Sequence, residues 1–398
     1  MFILMIARGV PTPQDPQWGC FEKDQAEALA SLGHKIVVAS VDSRFRLRWR
    51  HLGITHYHIN NIDYYNSFII PGAITKIFGS AFNSKIKEWQ LERIYTIVEK
   101  KWGKPDVIYG QFFFNSYIAV PISKKHNIPL VTIEHAARFN NEIIDTQSLY
   151  QSQEVYKNTS ANIAVSQSLQ KALQKRFGID CHVVYNVYGK EFYYNPPEQE
   201  LDTFSFITTG SLISRKGFDL LPKAFALADL PKDKWKMQIT GEGEEHATLQ
   251  QQIDVAGYHD NIILVGKKGK EEIARLLNQS NVFVLPSRNE NFSVAVLEAL
   301  ACGLPVVASI CGGIRECIDE KNGLLFEVDD VEGLAKCLKH MYGHYQEYDR
   351  QAIADNCQAR FSSEVIAKQL TEIFEDVVAN YASNTKNQKI FLAYIKKN

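Results

Sequence analysis

The sequence predicts an α/β protein made of two doubly wound, Rossmann-like domains, each built on a parallel sheet. Each half of the chain begins with a short apolar strand, at Phe2–Ile6 and at Phe204–Thr208, followed by a loop and a helix. Between the halves, residues 195–202 are polar, contain two prolines and lack periodicity, as expected of an interdomain linker. A chain of 398 residues is long enough for two or three domains.

Composition narrows the class of protein. Apolar residues make up 45% and charged residues 22% of the chain, which is ordinary for a soluble globular protein. The formal net charge of −1 gives no reason to expect binding to nucleic acid. No apolar run reaches the length of a membrane span, and the opening MFILMIA is expected to be a buried strand rather than a signal peptide. The seven cysteines have no CxxC spacing, which is typical of reduced thiols and predicts a cytoplasmic protein.

The first half opens as a strand–helix–strand unit. A Pro-rich loop leads from the first strand to Gly19, and apolar residues then recur at helical spacing over Phe21–Leu32 before the strand Lys35–Ser40. Such units build parallel sheets, which bind ligands at the carboxyl ends of their strands. Further strands of this sheet are predicted at Asp106–Gln111, Leu130–Ile133, Asn162–Val165 and 181–186.

Residues 44–104 form a basic region. They include eleven Lys or Arg and four Asp or Glu, a charge of 11 − 4 = +7. Within it, four arginines at positions 44, 46, 48 and 50 alternate with apolar residues, so an extended strand would place the cations on one side. Together with the apolar stretch 69–82, this pattern is compatible with contact with an anionic membrane face or a phosphorylated lipid acceptor. A solvated charged strand beside ordinary core is the alternative.

The most informative stretch of the second half is Asn281–Glu327. Val282–Leu285 is an apolar run closed by Pro286, as expected for a strand buried on both faces. Residues 287–292 are polar and form a loop, and Ser293 is a good N-cap for the helix that follows. The N–H groups of that helix's first turn and its dipole favour an anion such as a phosphate.

Two carboxylates frame this loop and helix. Glu290 precedes the N-cap and Glu298 lies in the second turn of the helix, and a bend in the loop allows both to face one crevice. Carboxylates accept hydrogen bonds from hydroxyl groups, and a phosphate flanked by hydroxyl-bearing rings is the outline of a nucleotide sugar. The alternative is that both are merely solvated charges, as most glutamates are.

Two cations stand at the first helix entrance of the second half. Arg215 and Lys216 follow the strand Phe204–Thr208 and a Gly-Ser loop, where they suit a diphosphate because they neutralise the charge of a leaving group. Later elements predicted in this half are the strands Trp235–Thr240, Asn261–Val265 and Val306–Ala308 and the helices Val331–Tyr342 and Ser362–Tyr381.

The second half resembles the retaining glycosyltransferases of family 4, which have the GT-B fold. Their signature is a Glu, seven residues and a second Glu, then an Ala-x-Ala-x-Gly-x-Pro-Val-Val-like run and a Gly-Gly-x-x-Glu; here these are Glu290, Glu298, ALACGLPVV and residues 312–316. The resemblance implies two Rossmann-like domains that face each other across a cleft, with the last helix crossing back to the first domain. The implied divisions are an acceptor domain at 1–187, a linker at 188–202, a nucleotide-sugar domain at 203–361 and a helix and tail at 362–398.

The resemblance also implies roles for single residues. Glu298 would bind the donor ribose and Glu290 the donor sugar, while His135, which follows a strand end, would contact the sugar or support catalysis. Gly19 would lie beside the donor phosphates and the acceptor. Gly266 begins a loop that would lie by the nucleobase.

Two positions depart from the family pattern. An Arg usually follows the first Gly of the second half, and here that position holds Ser211, so Arg215 is expected to take its place beside Lys216. Many members also have Gly where this chain has Asn291. The predicted catalytic residues are His135, Glu290, Lys216 and Arg215, and the predicted donor-binding residues are Gly19, Ser211, Gly266, Asn291, Phe292, Ser293, Val294 and Glu298.

The predicted reaction moves a sugar from a UDP- or GDP-sugar to a hydroxyl of a glycan or lipid-linked acceptor, with retention and without a metal, a protein nucleophile or a further cofactor. By analogy, the product would be a cell-surface polysaccharide, lipopolysaccharide or lipid-linked glycan built at the cytoplasmic face of the membrane. No Asp-x-Asp metal motif and no G-x-x-x-x-G-K-[ST] loop occurs in the sequence.

Other functions stay open on the sequence alone. The same scaffold could belong to an epimerase, a sugar phosphorylase or a non-catalytic subunit of a glycan assembly machine. A dehydrogenase is disfavoured, because the dinucleotide fingerprint that starts at Gly241 has His246 where a glycine is required.

Overall fold

The computed structural model describes residues 1–9, 18–43, 52–69, 80–140, 143–196 and 203–395. The chain divides into two compact units. Unit 1 comprises Met1–Val165, Gln170–Val184 and Glu364–Asn398, and unit 2 comprises Ser166–Leu169 and Tyr185–Ser363. The four arginines at 44–50 and most of the apolar stretch at 69–82 lie outside the described residues.

Unit 1 contains an eight-stranded sheet. Its strands are β1 (Phe2–Ala7), β2 (Lys35–Asp42), β3 (Gly53–Ile59), β4 (Ile62–Phe68), β5 (Val107–Gln111), β6 (Leu130–Glu134), β7 (Ala161–Ala164) and β8 (His182–Val183). They lie in the order β3-β4-β2-β1-β5-β6-β7-β8, and every pair is parallel except β3 with β4. The helices that follow these strands are α1 (Cys20–Ser31), α2 (Ser80–Trp102), α3 (Phe112–His126), α4 (Thr146–Asn158) and α5 (Gln167–Phe177).

Unit 2 contains a six-stranded sheet that is parallel throughout. Its strands are β9 (Phe204–Thr209), β10 (Trp235–Thr240), β11 (Ile262–Gly266), β12 (Val282–Leu285), β13 (Val306–Ser309) and β14 (Gly323–Phe326). Their order is β11-β10-β9-β12-β13-β14, which is the doubly wound order of a Rossmann fold. Its helices are α6 (Leu221–Ala228), α7 (His246–Val255), α8 (Lys270–Asn278), α9 (Val294–Ala301), α10 (Val331–His344) and α11 (Arg350–Phe361).

The core of unit 2 forms because its strands are apolar on both faces and its helices on one. On one side, α6 packs against α10 over Phe206, Phe225 and Trp235, and the Phe225 and Trp235 rings stack with centroids 4.1 Å apart. On the other side, α9 packs against α11. This double cover is what buries the continuous apolar strands that the sequence shows.

The final helix, α12 (Ser363–Ile395), packs within unit 1. The Phe374 ring lies 4.9 Å from that of Tyr109 on β5, and Thr371 Oγ1 lies 2.9 Å from His34 Nε2. The predicted fold class is therefore confirmed: there are two Rossmann-like units, and the last helix belongs to the first. No helix among the described residues combines the length and the hydropathy that a membrane span needs.

Several elements were not predicted from the sequence. They include the helices α2, α4, α7, α8 and α11. They also include the antiparallel hairpin β3–β4, whose turn residues Asn60 and Asn61 have φ of 49° and 63°. Consecutive asparagines with positive φ are typical of tight hairpin turns, so a local signal was present in this case.

Candidate functional site

The candidate site of unit 2 lies where its strand order reverses. Strands β9 and β12 are neighbours in the sheet but lead to helices on opposite sides, and such a switch point leaves a crevice at the carboxyl ends of the strands. Two loops begin there. We call residues 210–217, after β9, the cation loop and residues 286–293, after β12, the carboxylate loop.

The two loops are joined by a buried ion pair. Lys216 Nζ donates to Glu290 Oε1 at 2.6 Å, and Ser287 Oγ donates to the same oxygen at 2.9 Å. Arg215 Nη1 lies 3.4 Å from Glu290 Oε2 and donates to the carbonyl of Asn289 at 2.5 Å. Glu290 is only 7% exposed, whereas the Arg215 side chain is 40% exposed. The sheet thus brings together three residues of the predicted catalytic set.

Electrostatics favour an ionised carboxylate and a net positive charge at this point. Burial on its own would raise the pKa of Glu290, but Lys216, Arg215 and the hydrogen bonds outweigh it, so this pKa lies below its ordinary value. Two cations with one carboxylate leave a formal charge of about +1 next to the crevice. An anion such as a diphosphate would be attracted there.

We expect this cluster to make stability depend on acidity. Because the folded-state pKa of Glu290 is lowered, its contribution to the free energy of unfolding is present above the unfolded pKa and is lost as pH falls through the folded pKa. Between pH 7 and pH 4, the natural chain should therefore lose more unfolding free energy than the Lys216→Met/Glu290→Gln chain. Urea unfolding at both pH values measures this difference, and equal losses would contradict it.

The Gly-Gly pair of the sequence pattern is explained by contact with the carboxylate loop. Gly312 has φ of 54°, and a Cβ atom there would lie 1.7 Å from the carbonyl oxygen of Glu290. Gly313 N donates to the carbonyl of Asn291 at 2.8 Å, and a Cβ on it would lie 2.5 Å from that oxygen. The segment after β13 can therefore support the Glu290 loop only if both residues lack side chains.

Helix α9 begins at the end of the carboxylate loop. Its N-cap, Ser293, is buried and makes no side-chain capping bond, and its first turn, which starts at Val294, contains no acidic residue. The N–H groups of such a turn suit a phosphate. Phe292 contributes only its backbone, because its buried ring packs against Tyr185 and Phe361 with centroids 4.7 and 5.6 Å apart. Donor binding by Phe292 stays a prediction, and its ring is occupied by packing in the core.

The other predicted residues of unit 2 lie around these loops. Glu298 is half-buried in the second turn of α9, and Ser211 is exposed directly after Gly210. Gly241 N donates to the carbonyl of Gly266 at 3.0 Å, and a Cβ on Gly241 would lie 1.8 Å from the carbonyl of Gly210. The loop ends after β9, β10 and β11 are therefore in close contact, as a nucleotide site built from several loops requires.

The last residue of the sequence pattern has a structural task. The Glu316 carboxylate accepts hydrogen bonds from the backbone N–H groups of Gln167 at 2.8 Å and Ser168 at 3.0 Å. Gln167 and Ser168 lie within unit 2, so these bonds tie the segment Ser166–Leu169 to the rest of that unit. The arrangement explains the glutamate without assigning it to a ligand.

In unit 1, His135 lies at the carboxyl end of β6, near the point where the order of that sheet reverses. Its Nε2 lies 2.9 Å from Gln111 Oε1, and its ring is 5.0 Å from Phe21 and 4.9 Å from Phe112. Phe112 itself has φ of 65°, a strained conformation of the kind that clusters at functional sites. Gly19, with φ of 75°, starts α1 just before Phe21. His135 and Gly19 thus belong to one neighbourhood of unit 1.

Sequence reasoning missed two charged residues of this neighbourhood. Arg8 pairs with the buried Glu22 and stacks on Phe21 and Phe112, at 4.4 and 4.6 Å from the ring centroids. Glu134 accepts from three backbone N–H groups, those of Phe113, His135 and Ala136. Burial raises the pKa of Glu134 to about 7, although these N–H groups act in the opposite direction. The only local signal was a glutamate directly before the histidine.

No group of three His, Cys, Asp or Glu side chains suited to hold a metal ion occurs in the described part of the chain. His56 and His58 both approach the carboxylate of Asp63 on β4, at 2.8 and 3.5 Å. Lys35 Nζ lies 3.0 Å from the same carboxylate, so the hydrogen-bond and ion-pair partners of Asp63 are protein side chains.

Comparison with known proteins covers both units. The family described as "Glycosyltransferase Family 4" matches residues 23–188, and the family described as "Glycosyl transferases group 1" matches residues 190–355. The putative teichuronic acid biosynthesis glycosyltransferase TuaC of Bacillus subtilis is 26% identical over 95% of this chain and 99% of its own. Three further relatives match at 28–32% identity. In each of them, the matched region spans only 20–42% of the relative's own length.

Solved structures share the fold. Sucrose-phosphate synthase of Thermosynechococcus elongatus superimposes with a TM-score of 0.76 at 18% identity, over 96% of this chain and 100% of that one. HepE of Anabaena, in complex with UDP and glucose, gives a TM-score of 0.73 at 19% identity over 94% and 100% of the two chains. The two family matches together span most of the chain, and the signature residues meet at one switch point. The chain belongs to glycosyltransferase family 4.

Proposed function

We propose that the protein transfers a sugar from a nucleoside-diphosphate sugar to an acceptor hydroxyl with retention of anomeric configuration. The observation that carries this proposal is the Lys216–Glu290–Arg215 cluster at the switch point of unit 2, beside the first turn of α9. A chain that only assembles other enzymes has no need of two cations beside a helix N-terminus. The alternatives of scaffold, epimerase and phosphorylase are not favoured by relatives that are glycosyltransferases.

The diphosphate is the part of the donor that this geometry suits best. As the bond from sugar to phosphate breaks, negative charge grows on the departing diphosphate. Lys216, Arg215 and the N–H groups from Phe292 to Val294 would stabilise this charge. The two cations lie together beside Glu290, which supports this assignment. Ser211, in the position usual for an Arg, offers only a hydroxyl, so Arg215 carries the second charge. Because protein cations supply this charge, we propose that no metal takes part.

The remaining predicted residues would bind the sugar and the nucleoside ends of the donor. Glu298 would accept hydrogen bonds from the ribose hydroxyl groups, and the loop that begins at Gly266 would hold the base. Glu290 would contact the sugar, and His135 would contact the sugar or support catalysis. Exclusion of water from the donor would prevent its hydrolysis. The UDP and glucose bound by HepE support a UDP-sugar as the first donor to test, ahead of a GDP-sugar.

The acceptor is proposed to be a surface glycan or its lipid-linked precursor at the inner face of the cytoplasmic membrane. The name of TuaC assigns that relative to teichuronic acid biosynthesis, which supports a glycan acceptor. In the described part of the basic region, α2 exposes Trp89 by 61% and Phe82 by 46%, and the Arg93 guanidinium lies 4.9 Å from the Trp89 ring. Aromatic and basic side chains together suit an anionic membrane face. Flotation with anionic and with neutral vesicles distinguishes this reading from a solvated surface.

A thermal-shift screen against UDP, GDP, ADP and their sugar conjugates, with and without EDTA, tests the donor site. We expect one nucleotide to stabilise the natural chain equally under both conditions. Incubation with the matching donor and NMR of the product's anomeric proton then tests retention. A shift that EDTA abolishes would overturn the metal-free mechanism, and no shift with any nucleotide would overturn the proposed function.

The Glu298→Ala chain is expected to lose most of that nucleotide stabilisation while keeping its own melting temperature within a few degrees. Glu298 is half-buried on α9 and is proposed to accept the ribose hydroxyl bonds, each worth about 1–3 kcal/mol when made to a charged group. Glu332→Ala is the matched control, because Glu332 is exposed on α10 in the same unit. An unchanged nucleotide shift in Glu298→Ala would remove Glu298 from the site.

A further inference from the structure

Arg288 has no role in the function proposed above, yet its hydrogen bonds join four parts of unit 2. Its guanidinium donates two hydrogen bonds of 2.8 Å to the Asp219 carboxylate and one of 2.6 Å to Asp329. It also donates to the carbonyl of Ser214 at 2.5 Å, and its backbone N–H donates to the carbonyl of Arg215 at 2.8 Å. One residue of the carboxylate loop therefore holds two successive carbonyls of the cation loop.

The part of the cation loop that Arg288 contacts is short. It is a single 3₁₀ turn at residues 214–216, followed by Gly217 with φ of 66°. Behind it lies a cavity of about 170 Å³ lined in part by Ser214, Asp219 and Arg288. A cavity provides no packed side chains to resist displacement, so the loop depends on its hydrogen bonds here.

The charges around Arg288 make these bonds strong. The pKa of Arg288 is raised chiefly by its hydrogen bonds to Asp219. Burial would raise the pKa of Asp219, but the hydrogen bonds and charge of Arg288 lower it. A bidentate pair between a guanidinium and a carboxylate fixes the relative orientation of the two groups as well as the distance between them. A lysine has one ammonium group and cannot make the paired bonds to Asp219 while also reaching Ser214 and Asp329.

We propose that Arg288 is a positioning residue that sets Arg215 and Lys216 at the spacing a diphosphate requires. This inference rests on the proposed function. Arg288 acts through the backbone of the cation loop rather than by touching the donor. Its loss should therefore weaken recognition of the second phosphate more than recognition of the base, the ribose or the first phosphate.

The test compares affinities for a nucleoside diphosphate and the monophosphate of the same base, measured by titration calorimetry on the full chain. For Arg288→Lys, we expect the diphosphate-over-monophosphate ratio to fall about tenfold or more, with kcat/KM for the sugar donor falling at least as much. Arg275→Lys is the matched control. Arg275 lies on α8 in the same unit, is exposed, and bonds the exposed Gln279.

A second variant tests whether the effect of Arg288→Lys arises from loss of this ion pair rather than from unfolding of the chain. Asp219→Asn removes one charge of the same pair and is expected to lower the same ratio, while the double variant should add little to either single change. If Arg288→Lys lowers both affinities equally, or leaves the ratio unchanged while the natural chain binds diphosphate well, the positioning role is wrong. If the natural chain binds no nucleotide, the proposed function falls, and this inference falls with it.

Discussion

The Lys216→Met chain is expected to lose about 100- to 1000-fold in kcat/KM for its sugar donor. Lys216 is the less exposed of the two cations that face the proposed diphosphate, and one such group acting on developing charge is worth about 3–4 kcal/mol. The same change leaves the buried Glu290 carboxylate without its nearest cation. We therefore also expect a loss of about 3 kcal/mol in the free energy of unfolding, measured by urea denaturation.

The Lys216→Met/Glu290→Gln chain separates these two effects. Glutamine fills nearly the same volume as Glu290, and its oxygen can accept the Ser287 hydrogen bond while no charge is left unpaired. The free energy of unfolding should recover by a large part of the loss. Turnover should stay low, because this chain lacks both Lys216 and the Glu290 carboxylate, which are both proposed to meet the donor. If turnover recovers together with stability, Lys216 acts only by holding the fold.

The Gly312→Ala chain is expected to lose about 3 kcal/mol or more of unfolding free energy and to bind nucleotide poorly. The added Cβ would lie 1.7 Å from the Glu290 carbonyl, which is a backbone atom and cannot turn aside. The carboxylate loop would have to move, and Glu290 with it. Urea unfolding and the nucleotide thermal shift measure the two losses separately.

Gly257→Ala is the control for backbone conformation. Gly257 lies in the same unit with φ of 70°, but the nearest atom to a Cβ there is Lys232 Nζ at 4.0 Å. This chain should therefore lose only the cost of left-handed backbone, about 1 kcal/mol. Equal losses in the two chains would show that the contact with Glu290 contributes nothing to the effect of Gly312→Ala.

Much of the fold could be predicted because its parallel strands are short continuous apolar runs, as in Val282–Leu285, with helical spacing between them. The features that were not predicted depend on contacts between residues that are far apart in the sequence. Nothing local distinguishes Arg288 from a solvated arginine, since its partners Asp219 and Asp329 lie 69 and 41 residues away. The ring of Phe292 likewise fills the space between Tyr185 and Phe361, which a reading of a polar loop does not reveal.

The sequence predicted which residues belong to the candidate site, but it did not predict how they pair. The pattern around Glu290 and Glu298 marked the helix and loop, but the pairing of Glu290 with Lys216, 74 residues away, follows only from β9 and β12 being neighbours in the sheet. Spacing along the chain cannot supply strand order. Glu134 was missed for a similar reason, because its partners lie at the ends of two strands.

The place of α12 in unit 1 has a consequence for how the protein is made. Ile366, Leu370 and Phe374 on this helix are buried, and they are translated after every residue of unit 2. On the ribosome, the sheet of unit 1 therefore emerges first, but Tyr109 lacks its contact with Phe374 until the residues of α12 have been made. Unit 2 can complete its core before unit 1 does, which reverses the usual N-terminal-first order of folding during synthesis.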